Sequence, residues 1–365
     1  MSWSLVLEGW RMYKRHRQVK KRGYVRQGYK AEDVCKNTLE KLWNGTYIQT
    51  SLGNYTQFYS RDFGMAAESL KKLGYAKRGL ATVKYALEKY EQAGKVTTHL
   101  SPKGKALNFP GAYSPDSFAY LLISVRVFGG REMGKKHKPF LQAETDRFCE
   151  QALDEQGLIR RKKHFGGMRD HAVRDASCYD TVMAGVVQRE CKKLGLDYRF
   201  PKIDYGEVLV DEYWNGEWFD DDKNNKTLTA DANIYPFWHG LIKDKTKLQK
   251  VLKHMRRKKM DRPLPVRYVA TREEEGKTIW QNILVPGWEA DCVWPMSGLP
   301  FIDITSDVNE KKAKEYHDQY CKMLEKHGTL IEVLDKKGKP YKSRYYSADE
   351  GMIWSAHWLR QATTL

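Results

Sequence analysis

The sequence predicts an all-α protein, and the spacing of its apolar residues is the main reason. Phe63, Ala66 and Leu70 recur at the i, i+3 and i+7 positions that gather one apolar face on a helix, and many other segments repeat this pattern. Strand-like runs are few and short, the clearest being VRYVA at 266–270 and TLIEVLD at 329–335. Many helices of similar length with polar outer faces favour helical hairpins around a common centre rather than a four-helix bundle.

The same periodicity places the individual helices along the chain. The segment KKGKP at 336–340 is a turn signal, because Gly and Pro interrupt regular structure. No Ser- or Gly-rich linker and no break in composition divides the chain, so we predict a basic N-terminal segment over residues 1–30 and a single domain over residues 31–365. Within that domain, helices are expected at about 31–43, 62–74, 77–93, 116–129, 136–153, 179–195, 231–242, 245–258, 290–300, 309–327 and 350–362.

Composition excludes several classes of protein. With 41% hydrophobic residues, the 365-residue chain has enough apolar side chains for a sizeable core, which excludes intrinsic disorder. No apolar run approaches the ~20 residues of a membrane span, and the opening MSWSLVLEGW is too short for a secretory signal. We therefore expect a cytoplasmic protein with no membrane partner. The six cysteines are scattered without a CxxC pair or zinc-finger spacing, so reduced, buried thiols and no metal site are expected.

The charge of the chain raises the question of a polyanionic partner. There are 64 Lys and Arg residues against 46 Asp and Glu, which gives a formal net charge of +18 and by itself suggests nucleic acid. The densest basic stretch runs from Arg11 to Arg26. The other basic residues are spread through the helical segments, as on solvated outer faces, and no nucleic-acid-binding motif accompanies them. We therefore expect that nucleic acid is not the main partner.

Candidate functional residues gather in loops at the predicted helix boundaries, where aromatic side chains stand beside carboxylates. Such sets bind sugars, because an aromatic face covers the apolar side of a pyranose ring while carboxylates and Arg take its hydroxyl groups. Hydrolysis of a glycosidic bond needs one carboxylic acid to protonate the leaving oxygen and one carboxylate as base or nucleophile. The residues are Tyr55, Phe58, Tyr59, Arg61 and Asp62; Tyr113 and Asp116; Asp170 and Asp175; Trp288, Glu289, Asp291 and Trp294; and Tyr345, Tyr346, Asp349 and Glu350.

Each of these residues also has a purely structural interpretation. Asp62 and Asp116 precede helical runs and can be N-caps. Asp349 and Glu350 can be acids that the helix dipole favours in a first turn, and the aromatic residues can belong to the core. No single motif is specific for a function, whereas the order of the motifs along the chain is specific.

That order resembles glycoside hydrolase family 15, the glucoamylase-type enzymes, and more loosely the six-hairpin glycosidases that include trehalases, debranching enzymes and neutral invertases. The resemblance runs from about Tyr55 to Arg360 and implies an (α/α)6 barrel, so that residues 31–365 are expected to be a single (α/α)6 catalytic domain. The matching segments are YSRDF at 59–63 with its helix ending in KKLGY, SPDSF at 114–118, HAVRDASCYDTVMAGVVQRECKKLGL at 171–196, and EGMIWSAHWL at 350–359.

The resemblance also implies roles for individual residues. Glu350 matches the Glu of the family's E-G-A-F segment and is expected to be the general base, and Arg61 with Asp62 is expected to hold hydroxyl groups of the terminal sugar. The family's W-E acid motif is replaced here by Gly-Met-Arg-Asp, so the general acid is expected to be Asp170, at nearly the same spacing, with Asp175 as the alternative. The expected substrate-binding residues are Tyr59, Arg61, Asp62, Asp116, Trp288 and Trp294.

The resemblance therefore predicts an inverting, exo-acting glycoside hydrolase without a cofactor, which cleaves an α-linked glucosyl residue from a di- or oligosaccharide. Other six-hairpin glycosidases, including invertase-like enzymes, remain open. So does a sugar epimerase or isomerase on the same kind of barrel, which would transfer protons through histidines such as His164, His171 and His357. A non-catalytic carbohydrate-binding protein is the third alternative, because it would keep the aromatic residues without needing paired acids.

Overall fold

The computed structural model describes residues 3–109 and 111–365. This part of the chain is mainly helical, as predicted, and none of its helices is long and apolar enough to cross a bilayer. Short 3-10 turns lie at Arg272–Glu274 and Trp280–Leu284. The α-helices are α1 Trp3–Arg22, α2 Ala31–Leu42, α3 Ser60–Lys72, α4 Ala76–Ala93, α5 Pro115–Phe128, α6 Gly130–Lys136, α7 Lys138–Ala152, α8 Cys178–Leu194, α9 Tyr205–Tyr213, α10 Ala230–Trp238, α11 Lys245–Arg257, α12 Pro295–Ser306, α13 Glu310–His327 and α14 Ser355–Gln361.

Six of these helices form a closed inner ring. Helix α3 packs against α5, α5 against α8, α8 against α10, α10 against α12, α12 against α14, and α14 returns to α3. The helices α2, α4, α7, α9, α11 and α13 alternate with them along the chain. Helix α4 packs on α3 and α5, and α9 packs on α8, so these two helices lie outside the ring. The arrangement is the (α/α)6 barrel that the sequence predicts.

Burial distinguishes the inner helices from the outer ones. Every residue of α5 from Pro115 to Val125 is buried. The outer helix α11 buries only one face, consisting of Leu248, Val251, Leu252 and Met255, which is the i, i+3, i+4, i+7 pattern of an amphipathic helix. The inner helices also approach closely: a Cβ at Gly64 of α3 would lie 2.5 Å from the carbonyl oxygen of Tyr120 in α5.

The sheet structure is small and differs from the prediction. Strands β1 Phe58–Tyr59, β2 His99–Leu100 and β3 Ala106–Leu107 form an antiparallel sheet that leads directly into α3. The two strand-like runs at 266–270 and 329–335 make only isolated bridges, each through single residues. The predicted turn at 336–340 is confirmed.

Three helices were not predicted: α1, α6 and α9. Helix α1 lies in the basic N-terminal segment, where charged residues obscure a short apolar face of Met12, His16 and Val19; the last two side chains are buried. Helix α9 begins after Asp204, whose side chain accepts hydrogen bonds from the backbone N–H groups of residues 206 and 207, as in an N-cap. The predicted helix at 290–300 begins at Pro295 instead, because proline suits the first helical position.

Four inner helices begin with a carboxylate in their first turn, and these carboxylates meet at one end of the ring. They are Asp62 in α3, Asp116 in α5, Asp180 in α8 and Asp231 in α10. The unpaired N–H groups at a helix N-terminus favour negative charge, so the parallel inner helices concentrate acidic side chains there. We call this the N-terminal end of the inner ring and the opposite one the C-terminal end.

Candidate active site

An arginine at the N-terminal end of the ring joins two of the predicted carboxylates. Arg61 Nε donates to Asp116 Oδ2 at 2.6 Å, and Arg61 Nη2 donates to Asp170 Oδ1 at 3.0 Å. The hydroxyl of Tyr179 donates to Asp116 Oδ2 at 3.1 Å, and that of Ser114 donates to Asp116 Oδ1 at 2.6 Å. The structure thus brings together Arg61, Asp116 and Asp170, which lie far apart in the sequence.

Asp170 has the environment of a carboxyl that can carry a proton. Burial raises its pKa and the charge of Asp116 adds to the rise, while Arg61 opposes it. Its side chain is 19% exposed, and its Oδ2 accepts no hydrogen bond from the residues that the structure describes. The neighbouring Asp62 is buried, and burial raises its pKa to about 6. One oxygen of Asp170 is therefore free to hold and deliver a proton.

Asp175, the alternative acid, has the opposite environment. Its carboxylate accepts hydrogen bonds from Arg161 Nη2 at 2.8 Å and from the backbone N–H of Lys162 at 2.5 Å. Arg161 lowers the pKa of Asp175, so this carboxylate stays ionised near neutral pH. Its contacts tie a loop together and leave it poorly suited to donate a proton.

A second carboxylate cluster surrounds Glu332, in the loop before α14. Its Oε2 accepts hydrogen bonds from the hydroxyl of Tyr346 at 2.5 Å and from the backbone N–H of Asp349 at 2.7 Å. The hydroxyl of Tyr55, six residues before Arg61, lies 2.9 Å from that of Tyr346. Burial, followed by the charge of Asp349, raises the pKa of Glu332 to about 8. Glu332 is thus a buried, oriented carboxyl that changes protonation near neutral pH.

Asp349 fastens this cluster to the loop over residues 51–55. Its carboxylate accepts hydrogen bonds from the backbone N–H groups of Asn54 at 2.7 Å and Tyr55 at 3.0 Å, and from the hydroxyl of Ser51. Burial raises the pKa of Asp349 to about 6. A Cβ at Gly53 would overlap Asp349 Oδ1, so only glycine allows this approach.

Glu350, the predicted general base, faces the N-terminal segment. Its Oε2 accepts a hydrogen bond from the backbone N–H of Val25 at 2.6 Å, and its Oε1 forms an ion pair with Arg15 of α1. In the same helix, His16 Nδ1 lies 2.9 Å from the hydroxyl of Ser347. The side chain of Glu350 is 2% exposed. Both of its oxygens therefore have partners from residues 15–25.

The aromatic residues link the two clusters. The ring of Trp288 lies 5.6 Å from that of His171, which follows Asp170, and 5.9 Å from that of Tyr346, which binds Glu332. Tyr59 stacks on His99 at 4.7 Å. Trp288 therefore stands between the loops that hold Asp170 and Glu332.

Trp294, another predicted sugar-binding residue, is packed as part of the core. Its ring lies 4.7 Å from that of Trp288 and 5.3 Å from that of Tyr268, and its Nε1 donates to the carbonyl of Trp288 at 2.8 Å. The residue is 5% exposed. Trp288 is 7% exposed, so these contacts largely enclose both rings.

Several buried polar atoms near Asp170 have no hydrogen-bond partner among the described residues. They are both ring nitrogens of His164, His171 Nε2 and Trp288 Nε1. Such nitrogens can form hydrogen bonds with water or with a polar ligand. The hydroxyl groups of a sugar are partners of this kind.

The structure separates the histidines that an epimerase would need. His164 and His171 lie near Asp170, since the charge of Asp170 acts on His164 and the ring of His171 packs on Trp288. His357 lies at the C-terminal end of the ring instead, where its Nε2 is 2.7 Å from Asp303 Oδ2. The N-cap interpretation of Asp62 and Asp116 is also wrong, because the N-cap residues are Tyr59 and Ser114.

Sequence reasoning missed one carboxyl of this site, Glu332, and gave no individual role to Glu289. Glu332 is the one charged residue in the run TLIEV, all of whose members are buried, and a carboxylate in an apolar run was the signal that could have revealed it. Glu289 Oε2 accepts the backbone N–H of His171 at 2.9 Å, and burial raises its pKa. Across the described ranges, no three His, Cys, Asp or Glu side chains converge in a way that could hold a metal ion.

Comparison with known proteins rests on structure alone, because no family model and no curated protein sequence matches the chain. A GH63 mannosylglycerate hydrolase from Thermus thermophilus superposes with a TM-score of 0.62 at 13% identity, over 91% of this chain and 100% of that one. A rhamnosidase from Klebsiella oxytoca gives 0.65 at 10% identity, over 92% of this chain and 63% of that one. Glucoamylase from Hormoconis resinae gives 0.57 at 13% identity, over 91% and 72%.

The chain shares its (α/α)6 barrel fold with these three proteins. The likeness extends over about nine tenths of this chain in each of the three comparisons. At identities of 10% to 13% the likeness concerns the backbone architecture. It does not distinguish between the mannosylglycerate hydrolase, rhamnosidase and glucoamylase types.

Proposed function

We propose that the protein is an inverting, exo-acting glycoside hydrolase that removes an α-linked glucosyl residue from a di- or oligosaccharide. One observation carries the proposal: two protonatable carboxyls, Asp170 and Glu332, lie in loops at the same end of the barrel with Trp288 between them. The unpaired nitrogens of His164 and His171 add polar groups for hydroxyls. The fold adds support, because it is the fold of known glycosidases.

Asp170 is the proposed general acid. Protonated Asp170 donates its proton to the glycosidic oxygen as the bond from that oxygen to the anomeric carbon breaks. Arg61 holds Oδ1 and leaves Oδ2 to carry the proton. Arg61 and Asp62 are the proposed ligands for hydroxyl groups of the sugar beside the acid, and Asp116 holds Arg61 in position, with Tyr59 directly before α3.

Glu332, rather than Glu350, is the better candidate for the general base. A base removes a proton from the attacking water, and a pKa of about 8 makes the Glu332 carboxylate a strong proton acceptor once it is ionised. Tyr346 fixes its orientation and connects it to Trp288. The oxygens of Glu350 are engaged by Arg15 and Val25, which leaves this side chain a role in holding the N-terminal segment.

The activity is tested by incubating the wild-type protein with a panel of α-glucosides, including maltose and trehalose, and measuring free glucose. Release of glucose from at least one member supports the proposal. A protein that binds a sugar without releasing one would be a carbohydrate-binding protein, and one that converts a free sugar into its epimer would be an isomerase. Either result would overturn the hydrolase assignment.

The base is identified by comparing Glu332→Ala with Glu350→Ala. Removal of the base leaves space for a small anion, so added azide should restore turnover of an activated α-glucoside in Glu332→Ala and give the glycosyl azide of inverted configuration. Glu350→Ala should keep its activity without azide. If azide restores turnover of Glu350→Ala but not of Glu332→Ala, Glu350 is the general base.

A further inference from the structure

A cavity lies towards the C-terminal end of the inner ring, on the opposite side from the loop that holds Asp170. Its volume is about 410 Å³, within the range of roughly 300–1,000 Å³ that is usual for small-molecule sites. All six inner helices contribute to its lining, which extends from their C-terminal ends inwards to Gly64 of α3 and Tyr120 of α5. We call it the C-terminal cavity.

Four inner helices place a cationic side chain at this cavity, each with one nitrogen that has no partner among the described residues. They are Lys72 of α3, Arg126 of α5, Arg189 of α8 and Arg360 of α14. Arg126 Nη2, Arg189 Nη2, Arg360 Nη1 and Lys72 Nζ donate no hydrogen bond to any residue in the described part of the chain. Helix C-termini favour cations, but that preference does not require four open donors to surround one cavity.

The positive charge exceeds what the nearby carboxylates neutralise. Buried Glu190 is held by Arg126 at 2.5 Å, by Arg189 at 2.9 Å and by Lys193 at 3.3 Å. Asp303 accepts two hydrogen bonds from Arg360 Nη2, at 2.6 Å and 2.7 Å. Around the cavity, five cations therefore face three carboxylates: Lys72, Arg126, Arg189, Lys193 and Arg360 against Glu68, Glu190 and Asp303.

One wall of the cavity is aromatic and uncharged. Burial lowers the pKa of His239 to about 3, so its imidazole is neutral at pH 7, and its Nε2 lies 3.2 Å from the hydroxyl of Tyr120. The ring of Trp238 lies 4.8 Å from that of His239. Trp238 therefore offers an apolar surface beside the cationic donors.

We propose that the C-terminal cavity binds a phosphate group, carried by inorganic phosphate or by a phosphate ester of sugar size. Guanidinium groups match the oxygens of phosphate geometrically, and charge-assisted hydrogen bonds to them are strong. The volume leaves room for a sugar ring against Trp238 once the phosphate is bound. This site goes beyond the proposed hydrolase activity and does not depend on it.

Lys72 gives the cleanest test, because it is exposed and no described residue accepts a hydrogen bond from it. Binding of inorganic phosphate, glucose 6-phosphate and glucose is measured by isothermal titration calorimetry at low ionic strength. We expect the first two ligands to bind and glucose not to bind in this cavity. Removing one unit charge about 4 Å from the phosphate should weaken binding about fivefold in Lys72→Gln, and Lys72→Glu should weaken it about 25-fold.

The matched control is Lys253→Gln on α11, which removes one exposed charge from an outer helix and should leave the affinity unchanged. Tighter binding of glucose 6-phosphate than of inorganic phosphate identifies the ester as the ligand, and equal binding identifies the phosphate group alone. The proposal is overturned if neither phosphate compound binds at millimolar concentration. It is equally overturned if Lys72→Gln and Lys253→Gln weaken binding alike, since the effect would then be that of net charge.

Discussion

Replacing Glu332 by Gln should stabilise the protein at alkaline pH, and the size of the effect follows from the environment of this side chain. Glu332 has a pKa of about 8 against an ordinary value of 4.5, because burial and the charge of Asp349 disfavour its ionised form. At about 1.36 kcal/mol per pKa unit, the difference corresponds to about 5 kcal/mol. That is the cost of ionising Glu332 in the folded protein.

The sign follows from proton binding. Between pH 4.5 and about 8, the folded protein holds a proton on Glu332 that the unfolded chain has released. The stability from this group is therefore complete below pH 4.5 and is lost as the pH rises to about 8. Gln cannot ionise, so the stability of Glu332→Gln relative to wild type should increase by about 4 kcal/mol between pH 5 and pH 8.5.

The assay is urea unfolding of both proteins at pH 5 and pH 8.5, followed by far-UV circular dichroism. Glu310→Gln is the control, because it removes an exposed carboxylate at the start of α13; its stability should run parallel to wild type. If the free energies of unfolding of Glu332→Gln and wild type keep a constant difference across this range, Glu332 is ionised normally and the reasoning fails.

Three further predictions concern activity and the acid loop. Asp170→Asn should lower kcat about 10²–10⁴-fold with an unchanged melting temperature; turnover near the wild-type rate would refute its role as acid. Asp175→Asn should instead cost only about 0.2–1 kcal/mol of stability in urea unfolding, because its partner Arg161 is exposed and stays solvated, while kcat stays within a few fold. Asp170 and Glu332 together must hold one proton for the reaction. Above about pH 8, where Glu332 ionises, this last proton is lost, so kcat/KM should fall. Tyr346→Phe removes a hydrogen bond that favours the ionised form of Glu332 and should move this limb to higher pH; a shift to lower pH would contradict the assignment.

The architecture of the barrel could be predicted because its helices differ in burial in a regular way. Outer helices such as α11 keep an amphipathic pattern, and the inner helices begin with Asp62, Asp116 or similar residues in their first turns. Helix α1 could not be predicted, because its buried face consists of few residues among many charges, and its contacts with Ser347 and Glu350 join residues about 330 positions apart.

The grouping of some candidate site residues could be predicted, while their roles stay predictions. The contacts of Arg61 with Asp116 and Asp170 agree with the grouping of these residues in the sequence analysis. The sequence around Glu350 did not indicate its ion pair with Arg15, because the spacing of nearby residues carries no information about a partner at the other end of the chain. Glu332 was overlooked because its apolar neighbours indicate a strand. Only the folded loops bring Tyr346 to its carboxylate.

The most direct test of the central claim is the configuration of the first sugar released. The reaction of wild-type protein with an α-glucoside that it cleaves is followed by proton NMR from the first minute, before mutarotation mixes the anomers. An acid and a base on opposite faces of the sugar predict β-glucose as the first product. Appearance of α-glucose first, or no release of glucose from any glycoside in the panel, would contradict the account.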